Sequence, residues 1–132
     1  MINILVIEDD VSIREIINYN LSNKFSVLTA DNAEEGLEIC QEEKIDLILL
    51  DWMLPGMSGL SFLRTIKKKG LTSSIPVIFI TAKHEEEDKL AGFTSGADDY
   101  LSKPFEPREL ILRIKKLIKR EKNIKLNQII FG

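Results

Sequence analysis

The chain has a single cysteine, Cys40, and a single histidine, His84. A lone cysteine excludes a disulfide within the chain and fits a reducing cytoplasm. Cys40 falls on the apolar stripe of a helical segment and reads as a small core residue. With one histidine, no Cys/His cluster of metal-ligand spacing can form. No apolar run approaches the ~20 residues of a membrane span. The opening MINILVIEDD lacks a basic region followed by an apolar stretch long enough for a signal peptide. Neither G-x-x-x-x-G-K-[ST] nor G-x-G-x-x-G occurs, which argues against a nucleotide-binding α/β domain. Repeats and low-complexity segments are also missing.

Basic charge is scarce over most of the chain and concentrated at one end. Residues 1–105 carry 10 Lys/Arg against 18 Asp/Glu, whereas residues 106–132 carry 8 against 3. The overall net charge of −3 speaks against a whole-surface nucleic-acid footprint. The basic end could meet an acidic partner, or the acidic face of a second copy.

What the 132 residues do contain is an alternation that suits one domain with one sizeable core. Short apolar runs stand at INILVI (2–7), FSVLT (25–29), DLILL (46–50), VIFIT (77–81) and YLS (100–102). Three of them are almost wholly apolar, as parallel strands covered on both faces should be. Helical spacing fills the gaps. Ile13, Ile16, Ile17 and Leu21 follow a cap at Asp10, and Ala33, Leu37 and Cys40 follow Asp31 and Glu34, a pair resembling a capping box. Leu60, Leu63 and Ile66 precede a stop at Gly70, Leu90 and Phe93 mark a weak stripe over 85–95, and Pro107 opens a helix over 107–122. The order βαβαβαβαβα predicts an α/β fold, a doubly wound five-stranded parallel sheet with helices on both faces. Ligands of such sheets bind beyond the carboxyl ends of the strands.

Those ends carry the chemistry. Glu8, Asp9 and Asp10 follow the first run, Asp51 the third, Thr81 closes the fourth, and Lys103-Pro104 follows the fifth. Each has an ordinary explanation as a cap, a turn residue or a solvated charge; their coincidence at equivalent strand ends does not. Clustered carboxylates repel one another unless a cation sits among them. A hard divalent ion such as Mg²⁺, held by one or two carboxylates and a phosphate oxygen, meets that need. An aspartate can then act as nucleophile toward phosphorus. Phosphoryl transfer chiefly needs positioning and charge neutralisation, which Lys103 and the Thr81 hydroxyl could share with Glu8 and Asp9.

The motifs VIEDD, DWMLPGMSG, VIFITAK and GADDYLSKPF together resemble the receiver domain of bacterial two-component response regulators, over about residues 2–122. PGMSG and ADDYLSKPFEPREL resemble its OmpR/PhoB-type subgroup in particular. The resemblance implies a flavodoxin-like sheet of order 2-1-3-4-5, with Asp51 as acceptor of a phosphoryl group from a sensor histidine kinase. It implies Mg²⁺ held by Glu8, Asp9, Asp51 and the backbone carbonyl of Met53. Many receivers have Asp in place of Glu8, whose extra methylene can bring water between carboxylate and metal. Lys103 would contact the phosphoryl group, the Lys103–Pro104 bond would be cis, and Thr81 and Tyr100 would be the switch pair. Met53 and Lys83 would tune the phosphoryl lifetime, giving slow to moderate self-hydrolysis, and His84 reads as a solvated loop residue. Such a switch catalyses only its own phosphorylation and slow dephosphorylation.

The resemblance also implies a phosphorylation-dependent homodimer through the fourth helix, fifth strand and fifth helix. Lys89 would meet Glu109, Arg113 would meet Asp99, and Lys115 would meet Asp98 across a two-fold axis, which requires a self-complementary face. Residues 1–122 would be the receiver. Residues 123–132, NIKLNQIIFG, would be a linker and the start of a winged-helix DNA-binding domain, so DNA would be read only outside this stretch. Two other readings compete. An aspartate-nucleophile phosphatase needs a second acid two residues after the nucleophile, where Met53 stands. A receiver-shaped binding module would do without the five site residues, all of which are present.

Overall fold

The computed structural model describes residues 1–68, 70–82 and 86–132. Among them the chain folds into β1 (Asn3–Ile7), α1 (Val11–Leu21), β2 (Ser26–Ala30), α2 (Ala33–Glu42), β3 (Leu47–Asp51), α3 (Gly59–Lys68), β4 (Val77–Thr81), α4 (Glu86–Thr94), β5 (Asp99–Ser102) and α5 (Pro107–Phe131). All strand pairs are parallel, in the order β2-β1-β3-β4-β5. The fold class read from the alternation is therefore observed. None of the described helices is long and apolar enough to cross a membrane.

The apolar runs become two core layers because successive strand residues point to opposite faces. Leu5, Ile7, Ile48, Leu50, Val77 and Phe79 pack on one side with Phe62, Leu63 and Ile66 of α3. Ile4, Val6, Leu47, Leu49, Ile78 and Ile80 pack on the other with Ile17 and Leu21 of α1 and Leu110, Ile114 and Leu117 of α5. Every residue of β3 and β4 is buried. Each fully buried Leu or Ile contributes about 1.5–3 kcal/mol, so the central strands form a stiff mount for whatever follows them.

Helix starts follow local chemistry. Asp10 Oδ1 accepts a hydrogen bond from Ile13 N at 3.1 Å, as its cap position predicts. At α2 the cap is Asn32, accepting from Glu35 N at 2.8 Å, rather than the Asp31–Glu34 box expected from the sequence. Glu34 instead reaches across to the β3–α3 loop and accepts from Met57 N at 3.0 Å. Gly56 in that loop has φ +71°, which its lack of a side chain permits. Burial pushes the Cys40 thiol up to about 11, consistent with an inert packing residue.

One element differs from its expected extent. The amphipathic pattern fades after Lys122, yet α5 continues to Phe131 as a 25-residue helix. Its last third has no cover, since Ile124, Leu126, Ile129, Ile130 and Phe131 are all exposed. The pattern marks where α5 touches the core; residues 123–131, NIKLNQIIF, hold no Gly or Pro that would break the helix, and it runs on to Phe131.

Candidate functional site

The parallel sheet brings the expected residues onto one rim. Asp51 is the last residue of β3, paired in register with Ile80 of β4. Thr81, next in β4, pairs in register with Ser102 of β5. Lys103 N then donates to Thr81 O at 2.9 Å, so the end of β4 holds the backbone from which the lysine projects. The following Lys103–Pro104 bond is cis, as the resemblance implied. Glu8 continues β1, its N–H donating to Ala30 O at 3.0 Å.

Three of these polar side chains are buried: Glu8 at 2%, Asp51 at 6% and Thr81 at 0% exposure. Lys103 Nζ lies 2.5 Å from Glu8 Oε1 and 3.2 Å from Asp51 Oδ2. Asp51 Oδ1 accepts from Met53 N at 3.1 Å, and Glu8 Oε2 accepts from Asp10 N at 3.3 Å. Both carboxylates are therefore oriented at both ends. Asp9 is exposed, and oxygens of Glu8, Asp9 and Asp51 all lie within 4.8 Å of one another. Three oxygen donors at that spacing suit a hard divalent cation.

The electrostatics of the cluster are compatible with a bound cation. Burial, reinforced by Asp51, pushes Glu8 up to about 8 despite the opposing Lys103. Burial pulls Lys103 down, but its bonds to Glu8 and the charge of Asp51 outweigh it, and the ammonium is held more firmly protonated. With both buried carboxylates ionised, one ammonium leaves the group short of positive charge, a deficit that a further cation would fill.

Behind the rim lies an aromatic group. Trp52 and Phe79 have ring centroids 4.9 Å apart, and Tyr100 lies 6.4 Å from Trp52 and 6.1 Å from Phe79. The Tyr100 ring is turned inward, 8% exposed, with Lys89 Nζ 5.6 Å from its centroid. Composition did not separate Trp52 from the core; only its packing shows that the residue after Asp51 joins Tyr100.

Four of the residues expected on a dimer face, Asp98, Asp99, Glu109 and Arg113, form ion pairs within the chain. Arg113 Nη1 lies 2.5 Å from Asp99 Oδ1 and its Nη2 2.9 Å from Glu109 Oε1. Asp98 is held by Arg120 at 2.6 Å, and its other oxygen accepts from Val77 N at 2.9 Å. Arg113 and Asp99 are thus brought together in one copy, and Lys89 stands over Tyr100. Lys83 and His84 lie outside the described residues.

Residues 4–115 match the family model described as the response regulator receiver domain. The phosphate regulon transcriptional regulatory protein PhoB of Klebsiella pneumoniae is 44% identical over 128 residues, 96% of this chain and 56% of that protein. PhoB of Pseudomonas aeruginosa is 46% identical over 118 residues, 89% of this chain and 52% of that protein. The chain spans about half the length of these relatives. Among solved structures, a CheY-like receiver domain from Methanospirillum hungatei superposes with a TM-score of 0.88 at 30% identity, covering 93% of this chain and 98% of that one. The BeF3-activated DrrB receiver domain gives 0.83 at 35%, covering 90% and 98%. The receiver family model over residues 4–115, the identity to PhoB and the superposition on solved receiver domains lead to one conclusion: the chain belongs to the response regulator receiver family, and its relatives are regulators of the OmpR/PhoB type.

Proposed function

We propose that this domain is a cytoplasmic phosphoryl-accepting switch in which Asp51 takes a phosphoryl group from a phosphohistidine on a sensor histidine kinase. The observation that carries this reading is the rim, where Lys103 touches both Glu8 and Asp51 and Asp9 completes the acidic group. Mg²⁺ suits the donor set; Glu8, Asp9, Asp51 and the carbonyl of Met53 would hold it. When bound, the ion neutralises phosphoryl charge and the repulsion among the carboxylates.

The chain's own groups do the rest. An Asp51 carboxylate oxygen attacks phosphorus in line, forming an O–P bond while the P–N bond breaks and its electron pair leaves with the imidazole. The Met53 N–H fixes the carboxylate's rotation during approach. Lys103 Nζ transfers its contact from Asp51 to a phosphoryl oxygen, and the Thr81 hydroxyl bonds another. Thr81 and the inward Tyr100 ring then act as the switch pair. Receiver domains are signalling switches rather than classical enzymes, and turnover here is limited to the domain's own slow dephosphorylation. Acetyl phosphate with Mg²⁺ should label the wild type stoichiometrically and leave Asp51→Asn unlabelled. Label retained in that variant would place the acceptor elsewhere.

The output we propose is homodimerisation through α4, β5 and α5, using Lys89, Asp98, Asp99, Glu109, Arg113 and Lys115. Since Arg113 already pairs with Asp99 and Glu109 in one copy, dimerisation exchanges partners rather than creating them, and each exposed pair is worth only ~0–1 kcal/mol. Beryllofluoride should raise the sedimenting mass toward that of a dimer; an unchanged monomer at high micromolar concentration would refute this face. Residues 1–122 would then form the receiver, and the α5 extension over 123–131 would lead to a winged-helix DNA-binding domain; the relatives themselves are named as transcriptional regulatory proteins.

A further inference from the structure

The loop after β1 carries two of the three clustered carboxylates, yet few bonds hold it. Glu8 N is tied to Ala30 O and Asp10 N to the Glu8 side chain. The carbonyl of Glu8 lies past the end of the β1 ladder, where no strand partner remains to take it. Its partner is Arg14, one turn into α1, whose Nη1 donates to it at 2.8 Å. Among the described residues this guanidinium forms no ion pair with any carboxylate, although the acidic group stands close by in sequence and space.

We propose that Arg14 is a positioning residue for the metal and phosphoryl site, acting by locking the Glu8–Asp9 peptide plane. The peptide unit is planar, so a bond to the Glu8 carbonyl fixes the Asp9 N–H in the same plane. The two torsions flanking that plane, ψ of Glu8 and φ of Asp9, aim the two carboxylates. The Glu8 side chain is further restrained by Lys103 and Asp10. No hydrogen bond to the Asp9 carboxylate is found among the described residues, so the peptide plane is the principal restraint on its direction. A guanidinium suits the task because it is always charged and donates in a fixed plane, from a helix whose cap at Asp10 sets its start. Groups that orient metal ligands from behind typically change metal affinity 10–100-fold when removed.

The inference rests on the metal-site reading above, and the sign of one measurement separates it from simple electrostatics. Deleting a positive charge near an acidic cluster should tighten cation binding. Loosening the loop should weaken it. Mg²⁺ is titrated into the wild type, Arg14→Ala, Arg14→Lys and Asp51→Asn, following fluorescence of Trp52, the only tryptophan and the neighbour of Asp51. Melting temperature without metal is recorded for each variant. Arg14→Ala is expected to bind Mg²⁺ roughly 10-fold more weakly while still folded, with Arg14→Lys, which keeps a donor and the charge, recovering most of the loss. Equal or tighter binding by Arg14→Ala, in a protein whose Asp51→Asn variant binds weakly, overturns the role of Arg14 alone. Wild-type protein that binds no Mg²⁺ at millimolar concentration overturns the role together with the metal-site reading. Should Arg14→Ala fail to fold, Arg14→Lys and Arg14→Gln decide it: equal affinity in both removes the role.

Discussion

In metal-free buffer at pH 8, Asp51→Asn should melt several degrees above the wild type, although it destroys the proposed phosphoryl acceptor. Glu8 is buried, and its carboxyl rises from 4.5 to about 8 through burial first and Asp51 second. A carboxyl raised in the folded state favours folding fully below its unfolded value and loses that benefit as pH rises through its folded value. The metal-free wild type therefore loses stability between about pH 4.5 and 8. Removing the Asp51 charge cancels the part of this loss due to repulsion, on the order of 1–2 kcal/mol. For a domain of this size that corresponds to roughly 3–5 °C per kcal/mol. The gain should shrink toward pH 5, where Glu8 is protonated in either protein, and should vanish with saturating Mg²⁺. Calorimetric scans of both proteins at pH 5 and 8, with EDTA or Mg²⁺, check all four arms. A variant less stable than the wild type at pH 8 would mean that the two carboxylates do not oppose each other.

Lys103→Ala should have the opposite and larger effect. Its ammonium is the cation between two buried carboxylates, at 2.5 Å and 3.2 Å. Removing one partner of a buried ion pair leaves uncompensated charge and is usually worth ~3–5 kcal/mol. Protonation of Glu8, already shifted upward, relieves part of this, so roughly 2–4 kcal/mol is expected at pH 8 from the urea midpoint. Adding Glu8→Gln to Lys103→Ala should recover much of it, because the amide needs no counter-ion. Such recovery would be a coupling energy between the two sites. If the double variant were no more stable than Lys103→Ala alone, the loss would stem from the lysine's packing rather than its charge.

These sites were legible in the sequence because topology does most of the work. Once β1, β3, β4 and β5 are parallel, the residues after them share a rim whatever the loops do. LILL ahead of Asp51 could be read as a strand buried on both faces, and it is one. FSVLT was one residue out of phase with β2, an edge strand whose partial burial weakens the signal. What escaped the sequence was side-chain reach. Nothing in the spacing separates Arg14, bonded to Glu8, from Arg64, bonded to Ser95. Asp98, read as a dimer residue, also ties the start of β4 through Val77 N, a contact between positions 21 apart. The end of α5 was misjudged for a different reason: amphipathicity reports a neighbour, and the helix outlasts its neighbours.

Gly59 adds a mechanical point. A Cβ there would run into the carbonyl of Asp51 and come within 3.0 Å of Trp52 Cα, and Gly59 N already bonds Trp52 O at 3.1 Å. The first turn of α3 thus presses bare backbone against bare backbone directly behind Asp51. A wall of that kind has almost no compliance, because no side chain is there to bend. In front of the carboxylate stands the Lys103 stem, whose torsions can adjust. If Asp51 takes a phosphoryl group as proposed, the new charge would meet an unyielding backstop at α3 and a yielding foreground, so any shift would be expected on the side of Lys103 rather than of α3.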